Sequence, residues 1–139
     1  MPLIVVDTNV LISAAIKRDG LEARVLALCA EGRIETAVSD ALEAEYRAVS
    51  ARKKFAKQAE RLVQLTETLV RGARRITVTE VRARCSDPDD DMVLACASSA
   101  GARYLVTGNS RDFPRELESL RVLNARELLV ALQELADER

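Results

Sequence analysis

Asp7, Glu45, the run Asp87-Pro88-Asp89-Asp90-Asp91, Asn109 and Asp112 are the side chains of this 139-residue sequence best suited to chemistry. Carboxylates gathered in one pocket repel one another and stay partly protonated unless a cation holds them. The chain contains no histidine, and its three cysteines (Cys29, Cys85, Cys96) have no C-x-x-C spacing. Histidine-based triads are excluded and zinc is disfavoured. Oxygen donors alone point to Mg²⁺ or Mn²⁺. Such an ion lowers the pKa of a bound water and stabilises charge on a phosphodiester in an in-line displacement, and no protein general base is then required.

For these groups to meet, several strand ends must reach one edge. Leu3-Ile4-Val5-Val6 is an apolar run without alternation, the pattern of a strand buried on both faces. Val10 to about Lys17 then reads as helix. Asp7 therefore stands where a central strand stops and a helix begins, the edge at which ligands collect in open α/β sheets. The same position equally suits a plain helix N-cap, by Asp7 or by Thr8.

Further along, Leu21–Ala30 reads as a helix stopped by Gly32 in a left-handed conformation. Ile34–Val38 reads as a strand. Ser39 opens a third helix, with Leu42 and Glu43 resembling a capping box one residue longer than usual. Glu45 and Tyr46 lie about two turns into it. Apolar spacing from Phe55 to Val70 predicts one long helix over Arg52–Val70. Ile76-Thr77-Val78 reads as a strand, and Asp87 caps a helix whose first turn takes Pro88. That helix is apolar or small from Met92 to Ala100, so it is expected to be buried. Arg103–Thr107 and Leu120–Leu123 are two more strands, and Asn124 caps a last helix. Strands alternating with helices give a doubly wound α/β sandwich around a central, mostly parallel sheet of about five strands.

In that arrangement Asp7 at the end of the first strand, Glu45 on the helix after the second, the Asp87–Asp91 run opening the helix before the fourth and the Asn109/Asp112 loop after the fourth fall at comparable places around one sheet edge. A helix dipole tolerates negative charge in its first turn, so most of the Asp87–Asp91 run serves capping and one member is the expected ligand.

Residues 1–139 are expected to form one domain, with 48% hydrophobic and 31% charged residues. Aromatic content of 3% with no Trp argues against a base-stacking platform. The net charge of −1 conceals an asymmetry: nine Lys or Arg against two Glu between Arg47 and Arg75, then four acids from Asp87 to Asp91. A basic face beside an acidic centre suggests a phosphate-bearing partner held near a metal. Charge on the outside of a helix is ordinarily a solvated face, and that reading holds for most of these side chains. Unpaired cysteine spacing suggests a reducing cytoplasm. The apolar start is too short for a signal peptide, and no run approaches transmembrane length.

Taken together, four motifs resemble the PIN-domain ribonucleases, in that family's order. They are Val6-Asp7-Thr8-Asn9-Val10; Ser39 with Glu45; Asp87–Asp91 ahead of Leu94-Ala95-Cys96-Ala97; and Val106-Thr107-Gly108-Asn109 with Asp112-Phe113-Pro114. The branch they resemble is the VapC-like toxins of prokaryotic toxin–antitoxin systems. The resemblance implies a PIN-like three-layer α/β/α sandwich and a Mg²⁺- or Mn²⁺-dependent endoribonuclease that hydrolyses RNA phosphodiesters. It implies Asp7, Glu45, Asp90 and Asp112 as catalytic metal ligands. Asn9, Thr107, Asn109 and Asp91 support them, Asp91 being the one-residue-shifted alternative to Asp90. It also implies an RNA substrate, a cognate antitoxin protein and a homodimer. Exposed apolar residues of the Leu11–Leu28 helices or of Arg52–Val70 are the surfaces expected to host the last two. Lys53, Lys54 and Lys57 are the residues expected to track RNA phosphates.

The departure is Asn109, where many PIN domains have Asp; it offers an oxygen without a charge. It motivates a reading from another class, a catalytically weak PIN domain that binds RNA or a protein. A phospho-acceptor receiver domain also gathers acids at a sheet edge. It needs an acceptor Asp on a middle strand and a Lys in a later loop, and neither Ile76-Thr77-Val78 nor Thr107-Gly108-Asn109-Ser110 supplies them.

Overall fold

The computed structural model describes residues 1–79 and 88–138, with the side chains of 88 and 89 left out. Cys85, the Asp87 cap and the Asp89 side chain lie outside the described residues.

Strand β1 (Leu3–Val6) is buried from Ile4 onward, as its unbroken apolar run predicts, and α1 (Thr8–Ile16) follows directly. Helix α2 (Leu21–Ala30) ends at Gly32, whose φ of 75° is the left-handed stop read from the sequence. Then come β2 (Glu35–Val38), α3 (Asp40–Val49), a 3₁₀ turn (Lys53–Gln58) and α4 (Ala59–Gly72). Strand β3 (Arg74–Arg75) precedes α5 (Pro88–Ala100) and β4 (Tyr104–Val106). A second 3₁₀ turn (Ser110–Asp112), β5 (Glu116–Leu117), β6 (Leu120–Leu123) and α6 (Ala125–Asp137) complete the chain.

The strands form one six-stranded sheet in the order β3-β2-β1-β4-β6-β5, parallel except for β5. Helices flank it, so the α/β sandwich expected from the sequence is borne out. Ile4, Val5, Leu105, Leu94 and Leu128 are fully buried at its centre. The strand order turns back on itself between β1 and β4. Their carboxyl ends therefore frame the crevice where doubly wound sheets bind ligands.

Four local readings change. The sixth strand is β5, two residues paired antiparallel to β6 and too short to register as an apolar pattern. The third strand lies at Arg74–Arg75 rather than Ile76–Val78. Arg74 is ion-paired to Glu35, and Arg75 to Asp40 and Glu43, so charge pairing rather than burial fixes this edge. Only the backbone N–H of Ile76 continues the ladder, to Val38 O at 3.0 Å. The helix expected over Arg52–Val70 is divided. Phe55 packs on the core with φ −110° and ψ 20°, and regular α-helix begins at Ala59. Lys53 and Lys57, four residues apart with like charge, oppose a regular helix there. Finally, Ser39 Oγ caps α3 by accepting from Leu42 N at 3.2 Å, but Glu43 takes no part in a capping box and pairs with Arg47 and Arg75. The full capping box is at α6, where Asn124 and Glu127 each accept from the other's backbone N–H.

Candidate active site

Asp7 lies at the carboxyl end of β1 and is 6% exposed. Its backbone N–H donates to Val106 O at 2.9 Å, so sheet pairing with β4 fixes where the side chain starts. Oδ1 accepts from Thr8 N at 2.7 Å, and Oδ2 accepts from the Thr107 hydroxyl at 2.8 Å. Asp7 is thus the N-cap of α1 and also faces Thr107 at the end of β4. The cap and the ligand roles are compatible, because each carboxylate oxygen keeps a lone pair.

Thr107, fully buried, is the hub of this edge. Besides donating to Asp7, its oxygen accepts from Asn9 Nδ2 at 3.3 Å and from Asn109 N at 3.1 Å. Asn9 Oδ1 in turn accepts from Gly108 N at 2.9 Å. Asn9 therefore clamps the loop after β4 from both of its amide atoms. That loop surrounds a polar hollow of about 310 Å³, lined by Gly108, Asn109, Ser110, Arg111 and Asp112.

Glu45 is half-buried on α3. The next residue, Tyr46, is fully buried and donates its hydroxyl to Val6 O, one residue before Asp7. This tether sets α3, and with it Glu45, against the end of β1. A buried tyrosine hydroxyl requires a partner, which is the one sequence signal that marks Tyr46. Glu45 Oε1 lies 2.9 Å from Arg52 Nη2. The seven-residue spacing of two opposite charges is the sequence signal for that pair, and apolar periodicity passes over it.

Burial pushes the Asp7 carboxyl above its ordinary range. The hydroxyl of Thr107 and the N–H of Thr8 pull it partly back, while the charges of Glu45 and Asp112 push it further up. The structure therefore brings Asp7, Glu45 and Asp112 within electrostatic reach, bonds Asp7 to Thr107, and through Thr107 links it to Asn9 and Asn109. Asp90 and Asp91 are half-buried in the first turn of α5, which packs on β1 and α3. Lys53, Lys54 and Lys57 are exposed on the 3₁₀ turn.

Among the described residues no three acidic or cysteine side chains close up as a metal cage. The donor chemistry nevertheless fits a hard divalent ion. A buried carboxylate is held against its own desolvation beside two further acids, and the Thr8 hydroxyl next to it has no hydrogen-bond partner among the described residues. The two described thiols offer no softer alternative: burial pushes Cys29 up to about 12 and also raises Cys96.

Residues 3–111 match the sequence profile of the PIN domain. The chain belongs to the PIN-domain family. This PIN domain is also similar in fold to solved structures. VapBC from Salmonella typhimurium bound to DNA gives a TM-score of 0.59 at 17% identity, with 90% of this chain and 99% of that chain covered. VapBC-1 from nontypeable Haemophilus influenzae gives 0.58 at 18%, covering 89% and 98%. VapBC2 from Rickettsia felis, bound to a DNA fragment from their promoter, gives 0.55 at 17%, covering 88% and 98%. The comparison with curated proteins returned no match. PIN domains are generally nucleases and typically depend on divalent metal, which is the chemistry the Asp7 edge is suited to.

Of the helices expected to receive partners, α1 buries Leu11 (1% exposed) in the core of this PIN domain, where the helix packs against α2 and α4, and leaves Ile16 exposed. Two surfaces with apolar walls are open among the described residues: a cleft of about 320 Å³ between α2 and α4, with Leu26, Cys29, Leu65 and Leu69 in its walls, and a groove of about 840 Å³ with Leu28, Leu129, Leu132 and Leu135 in its walls. No helix among the described residues is long and apolar enough to cross a membrane.

Proposed function

We propose that this PIN domain is a metal-dependent endoribonuclease and the toxin component of a type II toxin–antitoxin pair. The observation that carries the reading is the Asp7 carboxylate, buried at the β1–β4 crevice and raised by burial with Glu45 and Asp112 in reach. Asp7, Glu45, Asp90 and Asp112 are the residues that would hold Mg²⁺ or Mn²⁺, with Asp91 the alternative to Asp90. Such an ion supplies Lewis acidity toward phosphate and water. Thr107 keeps Asp7 Oδ2 in one orientation and lowers the cost of its ionised form. Asn9 holds Gly108 and Thr107 together, so the hollow beside Asp112 keeps its shape. Lys53, Lys54 and Lys57 present positive charge along which an RNA backbone can run.

An antitoxin partner is supported by likeness to the VapBC structures and to FitAB bound to IR36 DNA (TM-score 0.53, 19% identity). The α2–α4 cleft is one apolar surface available to that partner or to a second copy of the chain, and the groove walled by Leu28, Leu129, Leu132 and Leu135 is another. Co-purification from the native operon should recover a small partner protein, and light scattering should give a dimer mass. A lone chain in the first, or a monomer mass in the second, rejects the corresponding part.

Asn109 favours one second reading, an RNA- or protein-binding PIN domain with weak catalysis, because an amide replaces a charge at the end of β4. The deciding experiment is cleavage of total RNA with EDTA, Mg²⁺ or Mn²⁺ by wild type, Asp7→Asn and Asp90→Asn. Discrete products that require metal and vanish in both variants support the nuclease. RNA binding without cleavage, unaffected by Asp7→Asn, supports the binder.

A further inference from the structure

Glu45, whose charge acts on Asp7, is engaged by another partner: its Oε1 is 2.9 Å from Arg52 Nη2. Arg52 sits in extended backbone just before the 3₁₀ turn, at the end of the α3 connection. Both side chains are partly open to solvent, Arg52 at 45% and Glu45 at 29%, so the pair is a weak one that solvent screens. It is nonetheless placed where it matters. Tyr46 fastens the same stretch of α3 to Val6, so Glu45 can change partner by side-chain rotation alone, without moving the helix.

We propose that Arg52 is a built-in counter-ion for Glu45, which it holds while the site lacks a divalent ion and releases when one enters. This rests on the reading of Glu45 as a metal ligand. Arg52 serves two ends in turn. Its guanidinium offsets acid–acid repulsion around Asp7 while no ion is bound. Once released, it adds a planar, multi-donor fork to the strip of Lys53, Lys54 and Lys57, suited to a phosphate oxygen pair. Ion entry and RNA contact are then coupled through one side chain.

The test is titration of the full chain with Mn²⁺ alone, read by calorimetry in the absence of RNA, for wild type, Arg52→Gln, Lys53→Gln, Glu45→Gln and the Arg52→Gln/Glu45→Gln double variant. Arg52→Gln should bind Mn²⁺ about two- to five-fold more tightly, the range expected for removing an exposed ion pair that competes with the ion. Lys53→Gln, the same charge change one residue on, should match wild type. Glu45→Gln should bind more weakly, and in that background Arg52→Gln should change nothing. Unchanged or weaker binding by Arg52→Gln, with Glu45→Gln still weakened, overturns the counter-ion and leaves the ligand reading intact. An equal gain in Lys53→Gln overturns it as well, since general charge would then suffice. Unaltered affinity in Glu45→Gln removes the ligand reading, and the counter-ion with it.

Discussion

Thr107 donates its hydroxyl hydrogen to Asp7 Oδ2 at 2.8 Å, joining two residues 100 positions apart across the β1–β4 crevice. Replacing it by valine keeps the shape and removes the donor. The carboxylate then loses its only side-chain hydrogen bond among those described, and Asn9 Nδ2 and Asn109 N lose their acceptor. Thr107→Val should destabilise the fold by about 1–3 kcal/mol, measured by urea denaturation. It should also raise the Asp7 carboxyl further, measured by carboxyl NMR titration.

Asp7→Asn should stabilise the metal-free protein at neutral pH while abolishing the proposed nuclease activity. Burial raises the folded-state carboxyl above its ordinary 3.8, so the folded chain holds that proton more tightly than the unfolded chain. The stability this gives is complete below 3.8, declines as pH rises through the folded-state value and is lost above it. At pH 7 the ionised, desolvated group is therefore a net cost that asparagine does not bear. The melting-temperature gain should narrow as pH falls toward 4. A variant less stable than wild type at pH 7 would contradict the burial argument. Saturating Mg²⁺ should reverse the order, because wild type gains about 2.7 kcal/mol at a hundred times Kd and the variant gains less.

Tyr46→Phe removes one oxygen and leaves Val6 O without its side-chain donor inside the core. The expected loss is about 1–3 kcal/mol in denaturation. Mn²⁺ affinity should fall with it, since α3 no longer holds Glu45 at a fixed distance from Asp7. Unchanged affinity at reduced stability would make Tyr46 a core residue only.

Neutralising Lys53, Lys54 and Lys57 together should weaken RNA binding and flatten its salt dependence by about 0.7 for each phosphate that these side chains neutralise. All three side chains are exposed, so the denaturation midpoint should stay where it is. An unaltered salt slope would make the 3₁₀ turn an ordinary solvated surface.

The sequence was most legible where burial alone decides structure. The β1 run, the α2 stop at Gly32 and the Asn124 cap follow from local chemistry, and each stands where the pattern puts it. Asp7 was legible for the same reason, being the first polar residue after a buried strand. Features set by long-range pairing were not. Strand β3 is held by Arg74 and Arg75 binding acids about 32 to 39 positions earlier, which no apolar period reveals. Phe55 breaks the expected helix because its ring finds the core. The partners of Glu45 and Tyr46 also depend on how α3 folds back on β1, so the spacing could name these residues without giving their contacts.

The two outermost strands of the sheet, β3 and β5, are each two residues long, and β3 carries two exposed arginines fastened to acids of the same molecule. Such borders are poor templates for a foreign strand, which needs a longer row of open amides and carbonyls. Growth of this sheet by annexing another chain is thereby discouraged at both margins. A companion chain therefore finds little here to extend by strand addition.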